Sequence, residues 1–131
     1  MTLALARGLI SRLLAEAERA LPEEACGLLL GSGARIEQIV PARNVHCAPQ
    51  THFEIDPQAL VAAYRSARQG GPGVLGYYHS QPGGPAEPSA TDRAMAPGDG
   101  SIWAIVGQGG VTFWRNDEGA FAKLSYSLSD G

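Results

Sequence analysis

Two cysteines in 131 residues leave no room for a disulfide framework. Cys26 and Cys47 are also too far apart to form a C-x-x-C zinc or redox motif. No apolar stretch approaches the roughly 20 residues needed to span a bilayer, which argues against a membrane partner. Basic charge is not in excess either. Ten Lys and Arg stand against 13 Asp and Glu, a formal net charge of -3, so the clustered basic face of a nucleic-acid-binding protein is not expected. Met1–Ala20 does not read as a signal peptide, because Arg7, Arg12, Glu16, Glu18 and Arg19 interrupt any apolar core. A cytoplasmic location is the default expectation. There is no internal repeat and no low-complexity tail.

What is present suits one globular domain over residues 1–131. Apolar residues make up 44% of the chain, and a domain of this size buries roughly two thirds of its unfolded surface. Glycine (17) and proline (9) cluster at 70–73, 82–88 and 97–100, between patterned segments, and so mark loops within one fold.

Residues 2–20 are predicted to form one helix, with Leu5, Leu9, Ile10, Leu13, Leu14 and Ala17 on a common face. Residues 25–31 and 35–40 read as two strands of a hairpin around Gly31-Ser32-Gly33. Residues 41–51 read as a loop and 52–55 as a brief strand. Asp56-Pro57 starts a helix that runs to about Gln69, with the carboxylate as cap and proline at the first helical position. Val74–Tyr78 is a buried strand with His79 at its end. A long loop follows, and Ser89 to Asp92 opens a short helix. Three antiparallel strands complete the chain at 101–106, 111–115 and 121–126, with turns at 107–110 and 116–119. Strands grouped late and helices inserted early predict an α+β domain.

Three segments gather polar groups: Glu23-Glu24, His79-Ser80-Gln81-Pro82 and Ser89 through Asp92. A histidine at a strand end and an aspartate entering a helix are both good zinc ligands, and a catalytic zinc also needs a base near its water. Each piece has a structural reading as well. His79 suits a hydrogen-bonded strand residue, and Ser89-x-x-Asp92 is a capping-box pattern. Glu24 suits a solvated strand edge, and Cys26 a small buried hydrophobe. His46 and His52 read as loop polar residues. Trp103 and Trp114, at strand spacing, read as core or half-buried.

Taken together, Glu24-Ala25-Cys26-Gly27-Leu28-Leu29-Leu30-Gly31, His79-Ser80-Gln81-Pro82 and Pro88-Ser89-Ala90-Thr91-Asp92 closely resemble the JAMM/MPN family of zinc metallopeptidases. That family's pattern is a glutamate before a glycine-containing apolar strand, then His-x-His-Pro, then Ser-x-x-Asp. Ten residues separate Gln81 from Asp92, as the family pattern requires. The resemblance implies the MPN (cytidine-deaminase-like) fold, a mixed, mostly antiparallel sheet flanked by helices. It implies a zinc cofactor with His79 and Asp92 as ligands, Glu24 as general acid/base and Ser89 as the hydroxyl facing the oxyanion. By the same resemblance, the partner is the C-terminal Gly-Gly tail of a ubiquitin-like or sulfur-carrier protein, cut at a peptide or isopeptide bond.

Position 81 departs from the pattern, which has histidine there. Glutamine offers zinc only a neutral amide oxygen, a weak donor beside imidazole. Three outcomes are compatible with the sequence. Zinc binds through His79, Asp92 and the Gln81 oxygen or a water; or the site has lost metal and the domain is a non-catalytic protein-binding module; or position 81 has been changed, or another residue supplies the ligand. A hydrolase for a small amide is a further reading.

Overall fold

A computed structural model describes residues 1–118 and 120–130. Among these the chain forms β1 (Thr2–Ala6), α1 (Arg7–Ala20), β2 (Cys26–Ser32), β3 (Arg35–Ala42) and α2 (Pro57–Arg68), followed by β4 (Gly73–Pro85), α3 (Ala90–Met95), β5 (Ile102–Gln108), β6 (Gly110–Asp117) and β7 (Ala120–Ser129). The strands close into a barrel in the order β1-β3-β2-β4-β5-β6-β7. No described helix is long and apolar enough to cross a membrane.

The closed barrel corrects the expectation of a mixed sheet flanked by helices. The difference lies in residues 2–6, which helical spacing places in the opening helix. Leu3 and Leu5 alternate with Thr2, Ala4 and Ala6, and both are fully buried, a period-2 pattern. β1 pairs in parallel with β7 from Thr2↔Ser125 to Ala6↔Ser129 and touches β3 at Ala4↔Arg35. A sheet whose two outer strands would expose unpaired N–H and C=O groups is joined there by one short strand. The helix begins only at Arg7; it buries Leu9 and Leu13 but leaves Leu14 exposed.

The hairpin forms as expected, with one irregularity. Leu30 faces Gln38 but Gly31 faces Ile36, so Glu37 is an extra residue in β3. That bulge resets the alternation, which is why Ile36 and Ile39 are both buried. β2 is covered on both faces. Leu29 packs in the main core with Leu3, Leu13, Tyr78 and Phe113, whereas Cys26, Leu28 and Leu30 pack on the other side with Ile55 and Ala63. This accounts for its unbroken apolar run. Gly27 is required by packing, because a Cβ there would lie 2.3 Å from both the Tyr78 ring and the Val40 carbonyl oxygen. Cys26 is a free buried thiol whose pKa burial, aided by the Glu24 charge, pushes up to about 12, as befits an inert hydrophobe.

α2 starts at its expected cap, with Asp56 accepting from Gln58 N at 3.0 Å. The strand expected at 52–55 reduces to a single bridge between Asn44 and Ile55. β4 is longer than expected and carries His79 within it rather than at its end. β5, β6 and β7 are antiparallel neighbours, and Trp103 faces Trp114 across the β5–β6 pair. The Gly119 end of the expected 116–119 turn lies outside the described residues.

Candidate active site

Glu24 lies two residues before the first residue of β2, whose partner in β4 pairs Cys26 with His79. The two chain segments are tied beyond the ladder. Ser80 Oγ accepts from Ala25 N at 2.7 Å, and Ser80 N donates to Ala25 O at 3.0 Å. Ser80 is buried, so removing its hydroxyl leaves a main-chain N–H without a partner. Ser80→Ala is expected to lower stability by about 1–3 kcal/mol in a urea titration; an unchanged midpoint would mean that water replaces the hydroxyl.

Across from Glu24, α3 is opened by a complete capping box. Asp92 N donates to Ser89 Oγ at 3.0 Å, and Ser89 N donates to Asp92 Oδ2 at 2.9 Å. The same carboxylate oxygen lies 3.1 Å from His79 Nε2 and accepts from Gln81 Nε2 at 3.2 Å. Burial by itself would raise the Asp92 pKa. The His79 contact and charge, together with the Ser89 bonds, overcome it and hold the carboxyl below its ordinary range. Four of the residues singled out in the sequence (His79, Gln81, Ser89 and Asp92) therefore meet at one oxygen atom.

Glu24 is 8% exposed, which overturns the solvated-edge reading. Burial, then the Asp92 charge, raises its pKa from 4.5 to about 7. It lines a cavity of about 370 Å³ together with Asp92, Tyr77, Trp103, Met95 and Thr91. His46 and His52, expected as loop polar residues, and Phe53 lie in the same wall. They are placed by Asn44. Its Nδ2 donates to Glu24 O, Pro49 O and His52 O at 3.0–3.3 Å, and its Oδ1 accepts from His46 N and Glu54 N at 3.1 Å. Phe53 consequently stacks on the His79 ring with centroids 4.5 Å apart, and Trp103 meets the same ring edge-on at 5.7 Å. His46 and His52 stack on each other at 4.6 Å. The only local sequence signal for this arrangement is an asparagine in a loop, which by itself denotes a turn.

The fit to a cation is readable from these atoms. Two ligands of one tetrahedral zinc, each at about 2.0–2.2 Å, stand roughly 3.3–3.5 Å apart. His79 Nε2 and Asp92 Oδ2, at 3.1 Å, come close to that edge and fit two of its positions. Gln81, where the family pattern has a histidine ligand, turns its amide nitrogen, not its oxygen, toward Asp92; the same nitrogen donates to Glu87 O. An amide nitrogen has no lone pair to offer a metal. His79 Nδ1 is buried without a hydrogen-bond partner, whereas a zinc-bound histidine ordinarily donates its second N–H. Among the described residues, no group of three His, Cys, Asp or Glu side chains is arranged to hold a metal.

Residues 6–117 match the family described as prokaryotic homologs of the JAB domain. The chain belongs to this prokaryotic branch of the JAMM/MPN family. Similar proteins include the desampylase of Haloferax volcanii, 35% identical over 112 residues that cover 82% of this chain and 79% of that one. A probable TtuB-protein conjugate cleaving protease of Thermus thermophilus is 38% identical over 122 residues, covering 90% and 78%. Among solved structures, protein DSY2949 of Desulfitobacterium hafniense superposes with a TM-score of 0.86 at 29% identity, covering 99% of this chain and 94% of that one. A JAMM protein with a metalloprotease-like zinc site superposes with a TM-score of 0.59 at 20% identity, covering 97% and 99%; this shared JAMM fold is what the likeness shows.

Proposed function

We propose that this JAMM/MPN chain is a hydrolase that releases a ubiquitin-like or sulfur-carrier protein from the amine joined to its C-terminus. The observation that carries this reading is the position of Glu24. A carboxyl with a pKa of about 7 borders a cavity that also reaches Asp92. A group poised near neutrality is suited both to accepting and to returning a proton. The activities named for the Haloferax and Thermus relatives support the substrate class.

In this mechanism Glu24 takes the proton of the attacking water and delivers it to the leaving amine. Ser89 Oγ accepts from Asp92 N in the helix cap, so its own hydrogen remains free to donate to the developing oxyanion. Phe53 and Trp103 fix the plane of the His79 ring and cover it from water. His79 Nε2 and Asp92 Oδ2 would hold zinc, which when bound supplies Lewis acidity to water and to the scissile carbonyl.

The inward amide nitrogen of Gln81 favours a second reading, a protein-binding module that keeps the cavity and has given up the chemistry. One experiment separates the two. The chain is incubated with a carrier whose Gly-Gly terminus bears a fluorogenic amide, at zinc concentrations from micromolar to millimolar. Zinc-dependent release that a chelator abolishes is expected. Saturable binding of the carrier without release at any zinc level would replace the hydrolase reading with the module.

A further inference from the structure

We propose that Gln81 is the clasp that organises this site without metal, bridging the Asp92 carboxylate to the main chain ahead of α3. Asp92 is buried, and a buried carboxylate needs donors. Gln81 Nε2 carries two hydrogens and faces two acceptors, Asp92 Oδ2 and Glu87 O. Turning the amide over would set its oxygen against both acceptors, so chemistry fixes the nitrogen inward. A histidine at 81 has at most one hydrogen on each ring nitrogen and cannot serve both acceptors from one atom. The residue that weakens the cation site is therefore the one that adds two hydrogen bonds to the metal-free site. It links β4, the 86–89 segment and α3 through a single side chain.

The clasp belongs to the metal-free protein and goes beyond the hydrolase reading; absence of cleavage with the pattern below intact would remove that reading alone. The test compares thermal unfolding of wild type, Gln81→Leu and Gln81→His, each in EDTA and in 10 µM zinc (about the level needed to load a tight site, not a weak one). Wild type is expected to melt within about 1 °C in the two conditions. Gln81→Leu should melt at least about 4 °C lower in both. Gln81→His should be lowered similarly in EDTA and recover in zinc, a crossover that a packing role for the side chain would not produce. Equal melting of wild type and Gln81→Leu in EDTA would overturn the proposal. So would a zinc-induced rise in wild type equal to that of the histidine variant. If neither variant folds, the wild-type protein still decides. The Gln81 Nε2 protons should be protected from solvent exchange by NMR in EDTA, and exchange at the rate of exposed glutamines would overturn the clasp.

Discussion

Gln81→His is expected to bind zinc at least about tenfold more tightly than wild type, a gain of roughly 1.4 kcal/mol. His79 Nε2 and Asp92 Oδ2 already stand near the separation of two tetrahedral ligands. Beside them stands the Gln81 amide nitrogen, bonded to Asp92 and to Glu87 O. Imidazole replaces that non-ligand with a nitrogen donor of the kind zinc prefers and supplies the third protein ligand usual in catalytic sites. Loading the wild-type site also requires breaking the two Gln81 hydrogen bonds, which the histidine variant lacks. Competition with a chromophoric chelator at fixed pH measures the difference. Equal affinities would show that position 81 does not border the cation. The same variant is expected to release the carrier at lower zinc concentration.

Glu24→Gln should move two observables in opposite directions. Release of the carrier should fall by about 10²–10⁴-fold, the usual worth of a positioned acid/base, because the amide can neither take nor return the proton. Stability should rise. Glu24 has a folded pKa of about 7 against an ordinary 4.5, so the folded protein holds a proton that the unfolded chain has already released. Through that window the unfolded state binds fewer protons, and stability falls as pH rises. The loss is complete above about pH 7 and is of order 3 kcal/mol at most. Asp92 has the opposite sign. Its lowered pKa contributes stability that is present above the ordinary carboxylate range and lost on acidification, at lower pH than the Glu24 window. In chelator, Glu24→Gln should therefore match wild type near pH 4.5 and exceed it by about 1–3 kcal/mol at pH 8. Parallel stability–pH curves for the two proteins, in urea titrations at pH 4.5, 6 and 8, would mean that Glu24 is not desolvated. Unchanged turnover would remove it from the proton transfers.

The contribution of the sequence to this picture is local. The apolar run after Glu24, the strand carrying His79 and the Ser89-x-x-Asp92 cap are short-range patterns; β2 and the cap form where their own residues place them, whereas β4 runs on past His79 to Pro85. The capping box shows how two readings of one motif can both hold. Ser89 and Asp92 cap α3, and that cap is what holds the carboxylate toward His79. The same locality explains the errors. Residues 2–6 satisfy helical spacing through Leu5 and Leu9 as well as strand spacing through Leu3 and Leu5. Only the presence of β7, more than a hundred residues away, selects the strand. Leu14 likewise fits the apolar face by spacing, yet α1 buries Leu9 and Leu13 and leaves Leu14 exposed.

The chain order of residues was thus enough to point to the family and to the elements that carry the candidate polar groups, because these rest on neighbours within a few positions. Closure of the barrel, the neutral-range carboxyl of Glu24, the inward nitrogen of Gln81 and the wall built by His46, His52 and Phe53 were settled only in three dimensions. Desolvation, the facing of an amide and the pairing of sheet edges are properties of what surrounds a residue in space, and distant segments supply those surroundings.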